Sequence, residues 1–234
     1  MTQPSGGHSG SAAHRAHYLA RIAWLRTSGM SALLVLLLFV VFMLPTLIPF
    51  ATVWHVATDI AVIMILVSGV VAVLEHRGLA TSLAIVAVLV LAMRVAEWFT
   101  PHQLLPLLRD ISTLGALLLL AIAVGINVFA PGRAIGDRLF GAIVVYLLLG
   151  LIWGVLYSAI GAHSPDAFSG HPGASVGLSG WVYFSFVTLT TVGYGDITPV
   201  TTGARSLAML EALVGQLDPA VIIARLVSLQ DSSK

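Results

Sequence analysis

Cysteine is absent from the 234-residue chain, which excludes disulfides and thiolate-held metals or nucleophiles. Charge is almost as scarce. Asp, Glu, Lys and Arg make up 9% of the residues against 58% hydrophobic ones, where soluble domains carry roughly a quarter charged residues. Too little polar surface exists to clothe a globule in water, so the one or two soluble domains that length alone suggests are set aside. Lysine occurs once, at Lys234, and the other basic residues are arginines, a usage that points to a GC-rich bacterial genome. No basic block is present and the formal net charge is +1, which leaves no footprint for nucleic acid. GxSxG and HExxH motifs are missing. The groups left for catalysis, His55, His102, Glu211 and Asp218, form no metal or nucleophile constellation. The chain reads as a non-enzyme with no cofactor.

What the chain has instead is long apolar runs. A membrane helix needs about 20 such residues, and six stretches meet or approach this, near 29–49, 57–74, 79–98, 111–130, 139–161 and 203–228. Ahead of them lies a tail, 1–28, whose first twenty residues are rich in Ser, Gly and His and read as disordered. His14 and His17 in that tail are spaced closely enough for a metal, but a solvated tail is the simpler reading.

Arginine placement orients the spans. Arg15, Arg21 and Arg26 precede the first span, Arg77 follows the second, and Arg133 and Arg138 follow the fourth. With six crossings these segments share one side. The opposite side carries a mixed set: Asp59, His102, Arg109, Asp110, Asp166 and Asp196. The arginine-bearing side is therefore cytoplasmic, both termini are cytoplasmic, and the loop before the last span faces outward.

That loop carries the most specific signal in the chain. After Gly161 comes a polar Gly/His/Pro segment, then a short apolar-aromatic stretch, Trp181–Thr190, too short to cross a bilayer. Next is TTVGYGD, Thr190 to Asp196, and then the last span, with Thr201 or Thr202 as its cap. Long helix, short helix, non-helical loop and long helix is the layout of a re-entrant loop. Such backbone survives at membrane depth only when buried in protein or lining water. Its glycines alternate with Val192 and Tyr194, and glycine takes positive φ without steric cost, so successive carbonyls can turn to one side.

The run TTVGYGD resembles the selectivity filter of potassium channels, members of the pore-loop cation channel superfamily, and the likeness extends over about residues 139–228. The resemblance implies an all-α integral membrane protein of six transmembrane helices, with a re-entrant pore helix and filter loop between the fifth and sixth. Four copies would close the pore, because one chain supplies one filter strand. Carbonyls of Thr191, Val192, Gly193 and Tyr194, with the Thr191 hydroxyl, would coordinate potassium in place of its water. Thr190, Gly195, Asp196, Tyr183 and Phe184 would support the loop, with Tyr194, Tyr183, Phe184 and Phe186 as an aromatic collar and Asp196 bonded back to Tyr183 or Trp181. The carboxyl end of the short helix would favour a cation in the cavity below.

The last span resembles the inner helix of bacterial potassium channels. Gly215 falls where a hinge glycine often sits, Gln216 would line the cavity, and Pro219 and Ile223 would lie toward the ion path as gate candidates. Asp218-Pro219 departs from the more continuously apolar family pattern. Glu211, Asp218 and Arg225 share one face, which this register turns from the pore. Glu211 would brace the pore helix near Ser185 or Thr188, and Arg225 would snorkel at the cytoplasmic end.

The expected organisation is a cytoplasmic tail (1–28), four spans of unassigned role (29–130), a cytoplasmic linker (131–138), a pore domain (139–228) and a short cytoplasmic tail (229–234). A voltage sensor needs several arginines along its fourth span, and the fourth stretch has none between Arg109 and Arg133. The resemblance thus implies a potassium-selective channel of a bacterial plasma membrane, passively conducting and not voltage-gated in the usual way. Its partners are potassium ions, the lipid bilayer and three further copies. Seven residues follow Val227, so a nucleotide or calcium module would have to come from a separate gating subunit or ligand. The rival readings are a non-selective cation channel of the same architecture and a non-conducting membrane sensor or regulatory subunit.

Overall fold

The structure, a computed structural model, describes residues 29–47, 51–73, 77–99, 105–129, 135–170 and 177–231. Nearly all of these are helical. Helix α1 covers Gly29–Leu47, α2 Ala51–Ala72, α3 Arg77–Phe99, α4 Leu105–Phe129 and α5 Ile135–His163. A short α6 spans Leu178–Leu189 and the last helix, α7, spans Thr202–Asp231. Among the described residues, five helices are long and apolar enough to cross a membrane: α1, α3, α4, α5 and α7. The described apolar part of α2 is Val56–Ala72, and α6 is also too short to span. The tail with His14 and His17 lies outside the described residues, as does the side chain of Arg225.

Several boundaries move from the sequence expectation. Helix α4 begins six residues early, at Leu105, and takes Arg109 and Asp110 into its first turns. The short helix begins at Leu178 rather than Trp181. Helix α7 runs unbroken through Pro219 to Asp231. In α1, a π-helical segment at Phe39–Met43 precedes Pro45. Proline cannot donate to the carbonyl one turn back, and a wider turn is a common accommodation of such a defect.

The interior forms two clusters. The larger gathers Leu33, Leu37, Leu66, Leu83, Leu120, Val144 and Leu148 from α1 to α5 and reaches Val182 on α6. The smaller is aromatic and surrounds the re-entrant segment: Tyr157, Phe168, Trp181 and Phe184, with Ile197 and Ala204. Outer faces are as apolar as the core, with Ile85 69% exposed and Val88 65% exposed. Residues of that kind suit a lipid solvent rather than water.

Helix α6 is held against α5 by close backbone approach. Gly150, Gly154, Tyr157 and Gly161 lie on one face of α5, at spacings of three and four. A Cβ on Gly154 would stand 2.9 Å from Val182 Cα, and one on Gly150 would press into the Phe186 ring. Small residues four apart are the usual means by which membrane helices come this close. The GLIWG string, Gly150 to Gly154, is the sequence signal for this contact.

Outside α6 the loops clamp one another. Strand β1 (Phe168–Ser169) pairs antiparallel with β2 (Thr198–Pro199), Phe168 opposite Pro199. Val200 N donates to Ala167 O at 2.8 Å, and the Ser169 and Thr198 hydroxyls meet at 2.7 Å. This pair fixes the chain leaving the TTVGYGD run to the chain entering α6 from α5.

Candidate functional site

The run begins where α6 ends. Thr191 N donates to Thr188 O at 2.9 Å and Val192 N to Val187 O at 3.0 Å. These are the two bonds of a Schellman closure, in which the residue after the cap is left-handed and usually glycine. Here that residue is Thr191, at φ 59°. A β-branched side chain is rarely found there. Gly193 N also reaches Val187 O, at 3.2 Å, so one carbonyl of α6 suspends two amides of the run.

Positive φ then recurs at every second residue: Thr191 at 59°, Gly193 at 58° and Gly195 at 78°. Thr190, Val192, Tyr194 and Asp196 do not share it. Alternating hand turns successive carbonyls to the same side, the arrangement a row of oxygen ligands requires. Sequence reasoning placed glycines at two of these positions and overlooked the third, because threonine gives no local sign of a left-handed backbone.

The side chains expected around this run divide into two groups. Tyr194 is 71% exposed and Val192 53% exposed on the single chain. Tyr183 is also exposed and lies beside Asp196. Phe184 instead packs edge-on against Tyr157 at 4.9 Å and Phe168 at 5.6 Å. Phe186 lies over Gly150 and 6.2 Å from the Phe42 ring. Two of the four collar aromatics therefore face α5 and α1 rather than Tyr194: each residue of a helix is turned about 100° from the last, which sets Tyr183 on the open side while Phe184 is buried. Thr190 is tied to α6 through its hydroxyl, which donates to Phe186 O at 2.6 Å.

Helix α7 closes the site from behind. Gly215 lies against the end of α6, where a Cβ would overlap the Leu189 carbonyl oxygen. Gln216 Nε2 donates to Thr191 Oγ1 at 2.8 Å, so the cavity candidate and the second residue of the run meet directly. Glu211 is fully buried. Its Oε1 lies 2.5 Å from Ser185 Oγ and its Oε2 accepts from Tyr157 Oη at 2.7 Å. Tyr157 was not singled out in the sequence, although it sits on the same α5 face as Gly150 and Gly154. Pro219 and Ile223 are exposed on the single chain. Thr201 Oγ1 accepts from Ala204 N at 3.4 Å at the start of α7.

Among the first helices, Arg94 on α3 pairs with Asp59 on α2 and donates to Thr113 on α4 at 3.3 Å. Arg109 pairs with its neighbour Asp110 at 3.2 Å. The side chain of Glu97 lies outside the described residues.

Residues 141–229 match a family model described as an ion channel. Protein LctB of Geobacillus stearothermophilus is 36% identical over 106 residues, covering 43% of this chain and 78% of the relative. The potassium voltage-gated channel subfamily A member 5 of Mustela putorius furo is 30% identical over 106 residues, 44% of this chain but 16% of the relative. Two pore potassium channel c of Oryza sativa subsp. japonica is 34% identical over 73 residues, 31% of this chain and 14% of that protein. The last two likenesses are each confined to a small part of a larger channel.

Proposed function

The chain belongs to the ion-channel family, a multi-pass membrane cation channel rather than an enzyme, and from that premise we propose that it conducts potassium selectively and passively through a tetrameric filter of backbone carbonyls. The observation that carries this reading is the alternation of left-handed backbone at Thr191, Gly193 and Gly195. A dehydrated potassium ion needs closely spaced uncharged oxygens on several sides. One strand supplies oxygens from one side, so a ring of four completes each site. Carbonyls of Thr191, Val192, Gly193 and Tyr194 and the Thr191 hydroxyl are the ligands. Thr190, Gly195 and Asp196 hold the strand, with Tyr183 beside Asp196 and Phe184 packed on Tyr157 of α5.

Assembly is supported by what a single chain leaves open. Tyr194, Val192 and Tyr183 are exposed beside the filter, and α7 exposes Met209, Leu213 and Leu217. An apolar face on the pore-lining helix is what neighbouring copies would cover. In this reading the six spans place both termini in the cytoplasm of a bacterial cell and the filter toward the outside. Residues 29–130 form a four-helix region of unassigned role packed against the pore domain at 139–228, between the tails at 1–28 and 229–234 and joined to it by the linker 131–138. Gln216, Pro219 and Ile223 lie along the inner helix toward the ion path, with Gly215 as the hinge candidate.

Potassium flux into liposomes holding the purified protein tests the proposal, with reversal potential in a potassium/sodium gradient as the selectivity measure. A potential near the potassium value is expected, and Gly193→Ala, which forces a side chain into the left-handed region, abolishes the flux. A potential near zero would establish the non-selective reading, and no flux at all the sensor or regulatory subunit.

A further inference from the structure

Glu211 stands where α5, α6 and α7 meet, and the hydrogens available there can be counted. Four groups form an unbroken line. Tyr157 Oη lies 2.7 Å from Glu211 Oε2, Glu211 Oε1 lies 2.5 Å from Ser185 Oγ, and Ser185 Oγ lies 2.8 Å from the Gly150 carbonyl oxygen. Each of these three contacts needs one hydrogen between its oxygens. The phenol brings one, the serine brings one and the carbonyl brings none.

An ionised carboxylate would leave two hydrogens for three contacts, and one short pair of oxygens would meet lone pair to lone pair. A protonated carboxyl closes the count, with every bond running in one direction. Tyr157 donates to Oε2, Oε1–H donates to Ser185, and Ser185 donates to Gly150. The surroundings favour the same state. Tyr157, Ser185 and Glu211 are all 0% exposed, and a buried carboxylate without a cation is strongly disfavoured. The ion pairs Arg94–Asp59 and Arg109–Asp110 lie elsewhere and do not involve Glu211. Tyr146 on α5 is within electrostatic reach of both Glu211 and Asp218, and all three are acids, so none supplies a cation.

We propose that Glu211 carries a proton and serves as a neutral positioning residue, relaying hydrogen bonds from Tyr157 to Ser185 and so fixing the back of the pore helix. The proposal rests on the reading of Thr191–Gly195 as the filter. Two filter amides hang from the Val187 carbonyl, two residues beyond Ser185 on the same helix, so whatever fixes α6 fixes the filter. A neutral link does this without placing a negative charge behind the row of carbonyls, where it would draw cations off the ion path.

Infrared difference spectra of the full-length protein in liposomes at neutral pH, native against Glu211→Gln, test the protonation directly. The native protein shows a protonated-carboxyl C=O band that the variant lacks. A difference confined to ionised-carboxylate bands would overturn the proposal. Ser185→Ala and Tyr157→Phe each remove one hydrogen from the line and shift that band; a band unmoved by both overturns the relay. Glutamine keeps the order of one acceptor and one donor, so Glu211→Gln retains potassium flux within about twofold, whereas Glu211→Ala loses at least about tenfold. Equal damage from both substitutions also counts against the relay. The infrared band does not depend on conduction, so a protein that shows it but passes sodium as well as potassium refutes only the selectivity reading.

Discussion

The side-chain amide of Gln216 donates to the hydroxyl of Thr191 over 2.8 Å, joining α7 to the left-handed residue that closes α6. If the Thr191 hydroxyl faces an ion, Gln216 decides how its lone pairs are shared. Gln216→Leu is expected to lower potassium flux by about two- to tenfold, the range of one lost hydrogen bond of ~0.5–1.5 kcal/mol. A double-mutant cycle with Thr191→Val is expected to show coupling of the same size. Purely additive losses would mean that the two side chains act separately.

Gly215 has a second use besides a hinge. A Cβ at this position would overlap the Leu189 carbonyl, and a backbone contact cannot yield as a flexible side chain can. Gly215→Ala should therefore destabilise the protein by about 1–3 kcal/mol, read as a lower Tm in detergent. A glycine serving only as a hinge predicts the opposite sign, because alanine is the better helix former by ~1 kcal/mol.

The residues legible in the sequence were those whose chemistry is written locally. TTVGYGD announced its own alternation, and the shortage of charge announced a membrane. What stayed hidden depended on neighbours in space. Thr191 is left-handed because α6 closes in a Schellman turn at that point, which no threonine signals by itself. Tyr157 reaches Glu211 across 54 positions, and only the packing of three helices brings them together. Phe184 and Phe186 looked like a collar for Tyr194 because aromatic content says nothing about which face of a short helix is buried. The boundary of α4 was misplaced because Arg109 and Asp110 ended the apolar run, while in the structure they neutralise each other inside the helix.

The left-handed threonine sets stability against selectivity. An L-residue in that region costs about 1–2 kcal/mol, which glycine avoids while losing somewhat more backbone freedom on folding. Thr191→Gly is expected to raise stability by roughly 0.5–1 kcal/mol net, measured as a higher Tm. The same change deletes the hydroxyl at the inner end of the proposed filter. Potassium preference over sodium should fall in the reversal-potential assay although the fold is firmer. A variant that is no more stable than the native protein would show that the Schellman turn carries no strain at Thr191.

The four helices ahead of the pore offer the electric field little to move. Helix α4 carries two charged residues, Arg109 and Asp110, which lie side by side and pair at 3.2 Å. Their sum is zero. Arg94 is on α3 and is held by Asp59 and Thr113, so shifting it would break a buried ion pair that joins α2 to α3. Moving one elementary charge across the membrane is worth ~2.3 kcal/mol per 100 mV, and steep activation requires several such charges per chain. Purified protein in planar bilayers is therefore expected to show a conductance that varies gradually with voltage, with a fitted gating charge of about one elementary charge or less per chain. A steep sigmoidal conductance–voltage curve would locate a moving charge that this arrangement does not supply. Neutralising Arg94 together with Asp59 should leave the shallow curve unchanged, since a pair that moves as a unit carries no net charge through the field.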